Sequence, residues 1–273
     1  MTGPAAADAE FVALIDKISR ERGFRCSSYK EKCLRRRIAV RMRARAVHSY
    51  PDYARVLDKD GREWELLLDA LTINVTKLFR NWETFAAISS VVVPALWSNS
   101  ESALRVWSAG CASGEEAYSL AILFHAHAEA RRERERLRHV RVTGTDIDRG
   151  SLEAAARAEY DEPAFADTPP SLRKRYFSEA PPYRVVPEAR SMVSFERRDM
   201  LREPPPAQRL HLITCRNVII YFGRDTQEVL FQRFHDALVP GGFLVLGKVE
   251  TLLGAPRSQF AALDPRERIF RRL

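Results

Sequence analysis

Gly110 and Gly114 bracket a short loop between an apolar run that ends in Trp107-Ser-Ala and a helix start at Glu115-Glu116. Glycine at such a place lets the backbone approach a ligand closely. The spacing is GxxxG rather than GxGxxG, and two carboxylates occupy the first helical turn, where a pyrophosphate would have to sit on the positive end of the helix dipole. That pair disfavours a dinucleotide and suits a ligand with a cationic amino group, although acids also open helices for dipole reasons alone. A second apolar run ends in Thr145-Asp146-Ile147-Asp148. Asp146 at a strand tip can accept both hydroxyls of a ribose, while Asp148, just before a helix, suits a cap. A third, Leu212–Phe222, delivers Arg216, Asn217 and Tyr221. Upstream, Asn74, Thr76 and Arg80 sit among apolar neighbours. Their types alone leave open whether they cap the next helix or cover a ligand. Cys26, Cys33, Cys111 and Cys215 show no ligand spacing, so no metal site is expected.

These residues need a scaffold that brings strand tips together. From about Leu104 onward, short apolar runs alternate with longer amphipathic ones, the pattern of an α/β sheet covered by helices. Strands are expected at Leu104–Trp107, Val140–Thr145, Leu210–Thr214 and Phe243–Leu246, with helices near Glu115–Arg138, Gly150–Ala158 and Arg224–Leu238. In open α/β sheets ligands bind outside the carboxyl ends of the strands, so the singled-out residues should converge on one crevice. Residues 178–199 interrupt the alternation. There Tyr183–Val186 and Met192–Glu196 read as a short antiparallel pair, an inserted β-subdomain. Before the sheet, residues 11–72 carry only helical periodicity, and a small all-α domain is expected over 1–75, with the α/β domain over 76–273.

Charge is concentrated in the helical part. The 273 residues carry a formal +8, and between Lys30 and Arg45 stand eight Lys or Arg against the single acid Glu31. Arg35, Arg36, Arg37, Arg41 and Arg43 are the candidate docking residues for an acidic partner. No apolar run approaches the ~20 residues of a spanning helix, and the first residues have no signal-peptide pattern, so a cytoplasmic protein is expected.

The runs TINVTKLFR, VWSAGCASGEEAYSLA, TGTDID, LITCRNVIIYF and PGGFLVLG, in that order, resemble the chemotaxis receptor methyltransferase family, CheR. The stretch YKEKCLRRRIAVRMRAR resembles that family's basic helix. The resemblance covers the chain from about Phe11 onward. It implies a Rossmann-like S-adenosylmethionine methyltransferase domain behind the small all-α domain, with the β-subdomain inserted. It further implies that Asn74, Thr76, Arg80, Glu116, Asp146, Asp199, Met200, Arg216 and Asn217 match positions that bind the methyl donor, and that Arg80 and Tyr221 match residues near the transferred methyl. Asp199 stands where the family usually has Asn. The family's Gly-His-Ser-Glu run is here Gly247-Lys248-Val249-Glu250. The implied reaction is O-methylation of glutamate side chains on the cytoplasmic helices of chemoreceptors, leaving S-adenosylhomocysteine. Some members hold a receptor tether peptide on the inserted β-subdomain. The shorter, glycine-free and proline-containing segment 178–190 leads us to expect no tether binding here. Two other readings are a donor-binding scaffold without catalysis and a nucleic-acid methyltransferase. Against the latter, Arg216-Asn217-Val218-Ile219 stands where an amine acceptor would need Asn/Asp-Pro-Pro-aromatic, and the basic stripe lacks interleaved aromatics. Neither nucleic acid nor membrane insertion is expected.

Overall fold

The computed structural model describes residues 4–72, 76–99 and 103–273. It divides into two compact units, the first comprising the described residues up to 72 with Tyr221–Thr226, the second the remainder.

The first unit is helical: α1 (Pro4–Arg22), α2 (Glu31–Ala44), α3 (Tyr50–Lys59) and α4 (Gly61–Leu71). Each helix puts apolar residues on one face at three- and four-residue spacing. Phe11, Leu14 and Ile18 from α1 meet Leu34, Ile38 and Met42 from α2, and Tyr53, Leu57, Trp64, Leu67 and Leu71 close the core. Ser49 caps α3 by accepting from Asp52 N, and Asp60 caps α4 by accepting from Arg62 N and Glu63 N. Tyr29 pairs with Phe222 across an isolated antiparallel bridge, and their rings meet edge to face at 5.0 Å.

The second unit is built on seven strands: β1 (Leu104–Ala109), β2 (Val140–Asp146), β5 (Val193–Arg197), β6 (Leu210–Cys215), β7 (Leu238–Leu246), β8 (Phe260–Asp264) and β9 (Ile269–Arg272). Their order is β5-β2-β1-β6-β7-β9-β8; the first five are parallel and β9 runs antiparallel to β7. Strand order reverses between β1 and β6, so the ligand crevice of such a sheet lies beyond the carboxyl ends of these two strands. The helices of this unit are α5 (Trp82–Ala87), α6 (Val93–Asn99), α7 (Glu115–Ala130), α8 (Arg149–Arg157), α9 (Pro170–Tyr176), α10 (Pro187–Arg190) and α11 (Arg224–Ala237). Helix α7 is apolar almost all round because Ala117, Leu120, Ala121 and Phe124 are each buried in the sheet core.

Two local expectations are corrected. The long helix expected to reach Arg138 stops at Ala130, because Arg132 turns to a φ of +60° and a separate 3-10 segment follows. There Arg136 stacks over Trp97, whose indole N–H donates to Glu133 at 2.6 Å. An antiparallel pair exists in the inserted region, with different partners from those expected. β4 (Tyr183–Arg184) pairs with β3 (Glu159–Tyr160), while Val193–Arg197 joins the main sheet in parallel beside β2. A parallel edge strand packs the half-buried Phe195 against the sheet core, where its ring leaves no room for a β-carbon at Gly114 or Gly144. Asp148 caps α8, accepting from Gly150 N and Ser151 N.

Candidate functional site

At the reversal of strand order, Ser108 of β1 and Thr214 of β6 stand directly side by side. Both hydroxyls donate to Glu116 Oε1, at 2.8 and 2.6 Å, which fixes the first turn of α7 across the two strand tips. Arg216 Nη1 reaches the other oxygen of Glu116 at 3.4 Å. Its Nη2 donates to the Arg80 carbonyl at 2.7 Å and to Asn81 Oδ1 at 3.3 Å, and the guanidinium lies over the Phe85 ring. Arg216 is thus the strut between the Lys77–Asn81 segment and the sheet. Burial holds its pKa below the ordinary arginine value, with Glu116 opposing that shift.

Glu115 turns away from its neighbour. It is buried and accepts from Ser113 Oγ at both oxygens, and the Ser113 carbonyl accepts from Tyr160. Burial pushes its pKa up to about 7. The two acids that the sequence presents as a pair therefore serve different surroundings.

Asp146, at the tip of β2, accepts from Ala112 N at 2.9 Å through one oxygen and from Asp148 N at 3.0 Å through the other. Burial raises its pKa while these two N–H groups oppose the shift. A carboxylate oxygen has room for a second donor, so Asp146 can hold the loop and still receive ribose hydroxyls. Asp199 accepts from Leu201 N at 2.8 Å in a tight turn, and the Met200 methyl group lies near Gly110. The Met200 carbonyl accepts from Arg233.

Four non-glycine residues around these strand tips have positive φ: Phe79, Asn81, Ala112 and Asn217. Each has its own N–H captured by a side-chain oxygen, respectively Ser119 Oγ, Asp167 Oδ2, Asp146 Oδ2 and Glu250 Oε2, at 2.9 to 3.0 Å. Backbone held in this region costs about 1–3 kcal/mol per residue and persists where the surroundings over-determine it, typically at binding sites.

The geometry fits a polar ligand at these tips. Arg216 Nε and Asn217 Oδ1 are buried with no protein partner, a donor and an acceptor left for a ligand. Gly110 answers to protein packing, since a β-carbon there would stand 2.6 Å from Val218. Thr76 is half-buried, and Asn74 lies outside the described residues. Tyr221 belongs to the first unit, where its carbonyl accepts from Lys30 N at 2.8 Å.

A family profile described as CheR methyltransferase, SAM binding domain, matches residues 74–268, and one described as CheR methyltransferase, all-alpha domain, matches residues 9–72. The chain belongs to the CheR methyltransferase family. It is a methyltransferase that uses S-adenosylmethionine. It is 32% identical to a chemotaxis protein methyltransferase of Listeria innocua, over 90% of this chain and 92% of that protein. Identity to chemotaxis protein methyltransferase 1 of Pseudomonas aeruginosa is 31%, over 92% of this chain and 93% of that one. A 104.1 kDa uncharacterised protein of Rhodobacter capsulatus is 36% identical over 99% of this chain, which spans 28% of its length.

Within this CheR-family site, bound S-adenosylmethionine supplies an electrophilic methyl group on its sulfonium. Asp146, Arg216 and Asn217 stand together at these strand tips with polar atoms that could meet such a donor, and Glu116 contacts Arg216. Residues that the sequence did not single out are Ser108, Thr214, Asn81 and Glu250. Ser108 and Thr214 were visible as polar interruptions of apolar strands.

In the basic stripe, two candidate docking residues are committed to the fold. Arg41 forms a two-pronged pair with buried Glu63, and Arg35 lies 3.9 Å over the Phe11 ring while donating to Glu31 and Asp8. Arg36 and Arg43 are exposed and Arg37 is half-buried.

Proposed function

We propose that this protein transfers the methyl group of S-adenosylmethionine to glutamate side chains of bacterial chemoreceptors, in the cytoplasm, giving glutamate methyl esters. The observation that carries this reading is that Glu116, Asp146 and Glu250 at the strand tips are each already engaged. Glu116 receives two hydroxyls and a guanidinium, Asp146 two backbone N–H groups, and Glu250 three. None of these three stands as a free general base. A glutamate acceptor, with an ordinary pKa of ~4.3, is already ionised at neutral pH and needs none. An amine or hydroxyl acceptor would need a group to take its proton.

Catalysis then rests on alignment of the incoming carboxylate with the methyl and the sulfur, which can be worth about 7–11 kcal/mol of barrier. Arg80 holds the donor's carboxylate or orients the acceptor, and Tyr221 hydrogen-bonds the acceptor. Asn74, Thr76, Asp199 and Met200 complete the donor site. The exposed part of the α2 stripe docks the acidic receptor helices, and the chain engages no C-terminal tether peptide of the receptor.

Incubating the protein with donor carrying a tritiated methyl group and with membranes from its own source tests the reading. A base-labile label on receptor protein is expected. Label on nucleic acid, or donor binding with no transfer to any acceptor, overturns it.

A further inference from the structure

Glu250 lies outside the donor-binding positions, yet it is 3% exposed and surrounded by backbone donors. Its Oε2 accepts from Gly247 N at 2.6 Å and from Asn217 N at 3.0 Å, and its Oε1 accepts from Ile220 N at 3.2 Å. One carboxylate therefore ties the end of β7 to the turn that follows β6. Burial raises its pKa, opposed by these same N–H groups, which favour the ionised form. Asn217 is the residue most dependent on it. Its φ of +61° is a left-handed conformation, its N–H is one of the three captured, and its Oδ1 is buried without a protein partner.

We infer that Glu250 is a positioning residue for donor binding: its carboxylate clamps the Asn217 backbone in the left-handed conformation that presents the Asn217 side chain to the donor. The inference rests on the reading of these strand tips as the S-adenosylmethionine site. The chemistry requires an anion with two accepting oxygens. An amide has one accepting oxygen, and its NH2 would face a backbone N–H, donor against donor. Gly247 provides an independent handle. Its φ is unexceptional, but an added β-carbon would lie 2.7 Å from Glu250 Oε2 and 2.8 Å from Asn217 N, wedging the clamp open without altering the carboxylate.

The test is calorimetric titration of the full chain with S-adenosylhomocysteine, comparing wild type, Glu250→Gln, Gly247→Ala and Glu63→Gln. The last loses a buried carboxylate in the helical unit and controls for general destabilisation. Glu250→Gln and Gly247→Ala should each raise Kd about tenfold or more, with stoichiometry still near one. Glu63→Gln should melt earlier with Kd unchanged. A structural role alone would lower the bindable fraction and leave Kd in place. Wild-type Kd in either Glu250→Gln or Gly247→Ala overturns the positioning role. A wild-type protein that binds no S-adenosylhomocysteine overturns the donor-site reading itself and this inference with it.

Discussion

Arg41 Nε and Nη2 lie 3.0 and 2.7 Å from the two carboxylate oxygens of Glu63, a residue with no exposed surface, which also accepts from Tyr53 at 2.7 Å. The desolvation that would raise the Glu63 pKa is outweighed by the guanidinium and phenol, and its pKa falls below the ordinary value. One member of the basic stripe is therefore part of the helical core, while Arg36 and Arg43 face solvent.

The stripe should accordingly separate into two phenotypes. Arg41→Ala leaves the buried Glu63 charge with Tyr53 and the more distant Arg45 at 3.9 Å and should cost about 3 kcal/mol of stability, read by urea denaturation. Arg36→Glu with Arg43→Glu should leave the denaturation midpoint in place and slow receptor methylation by about tenfold at low salt. Receptor methylation at the wild-type rate by that double variant would reduce the stripe to a solvated helix face.

Asp146→Asn replaces one of two accepting oxygens with a donor facing the N–H of Ala112 or of Asp148. Both the loop geometry at Ala112, whose φ is +45°, and the reception of ribose hydroxyls should suffer. The expected outcome is a rise of about tenfold in the Kd for S-adenosylhomocysteine, measured by calorimetry. Unchanged affinity would remove Asp146 from the donor site.

Much of this arrangement could be read in the chain because parallel strands buried on both faces appear as apolar runs, and polar residues at their tips stand out. Asp146, Arg216 and Asn217 were legible for that reason. Glu250 was legible only as the end of a departure from a family motif, since its three partners come from backbone N–H groups that no side-chain pattern betrays. Met192–Glu196 reads correctly as a strand, but its neighbour is β2 rather than Tyr183–Val186. Period-two alternation indicates a strand but not its neighbour, and proximity in sequence to Tyr183–Val186 favoured a hairpin. The Arg41–Glu63 pair was hidden because its members lie 22 positions apart in the chain, on different helices.

Glu115 makes stability depend on pH in a defined direction. Its folded pKa of about 7 stands above the ordinary 4.5, so the folded protein holds this proton more tightly than the unfolded chain does. The contribution is fully present below about pH 4.5 and is lost as pH rises through about 7. Glu115→Gln keeps an acceptor for Ser113 and cannot ionise. Relative to wild type it should gain little at pH 4.5 and about 3 kcal/mol at pH 8, an upper figure for complete burial. Chemical denaturation at the two pH values reads the difference; an identical difference at both would mean that Glu115 does not titrate in this range.

Tether binding by strand addition needs an open edge with free backbone donors and acceptors. The candidate segment is flanked on both sides. Tyr183–Arg184 pairs with Glu159–Tyr160, and Val185 N donates to the Ala158 carbonyl. On the opposite side, Val186 N donates to the Tyr176 carbonyl and Ser178 N to the Arg184 carbonyl, with Phe177 bridged to Val185. Side chains reinforce the closure: Arg184 donates to Glu159, and Arg173 stacks over both Phe165 and Tyr183. Pro181, Pro182 and Pro187 remove three further donors from the segment. A peptide adding to Tyr183–Val186 would have to displace pairs that already exist, and without it the protein forgoes the rise in local concentration that a tether supplies. Fluorescence titration with a labelled pentapeptide from the C-terminus of a tether-bearing receptor should therefore show no saturation below about 1 mM, the range of weak, non-specific association. Micromolar binding that is lost on Arg184→Pro would place an open strand edge in this segment and return the tether to the account of how receptors are reached.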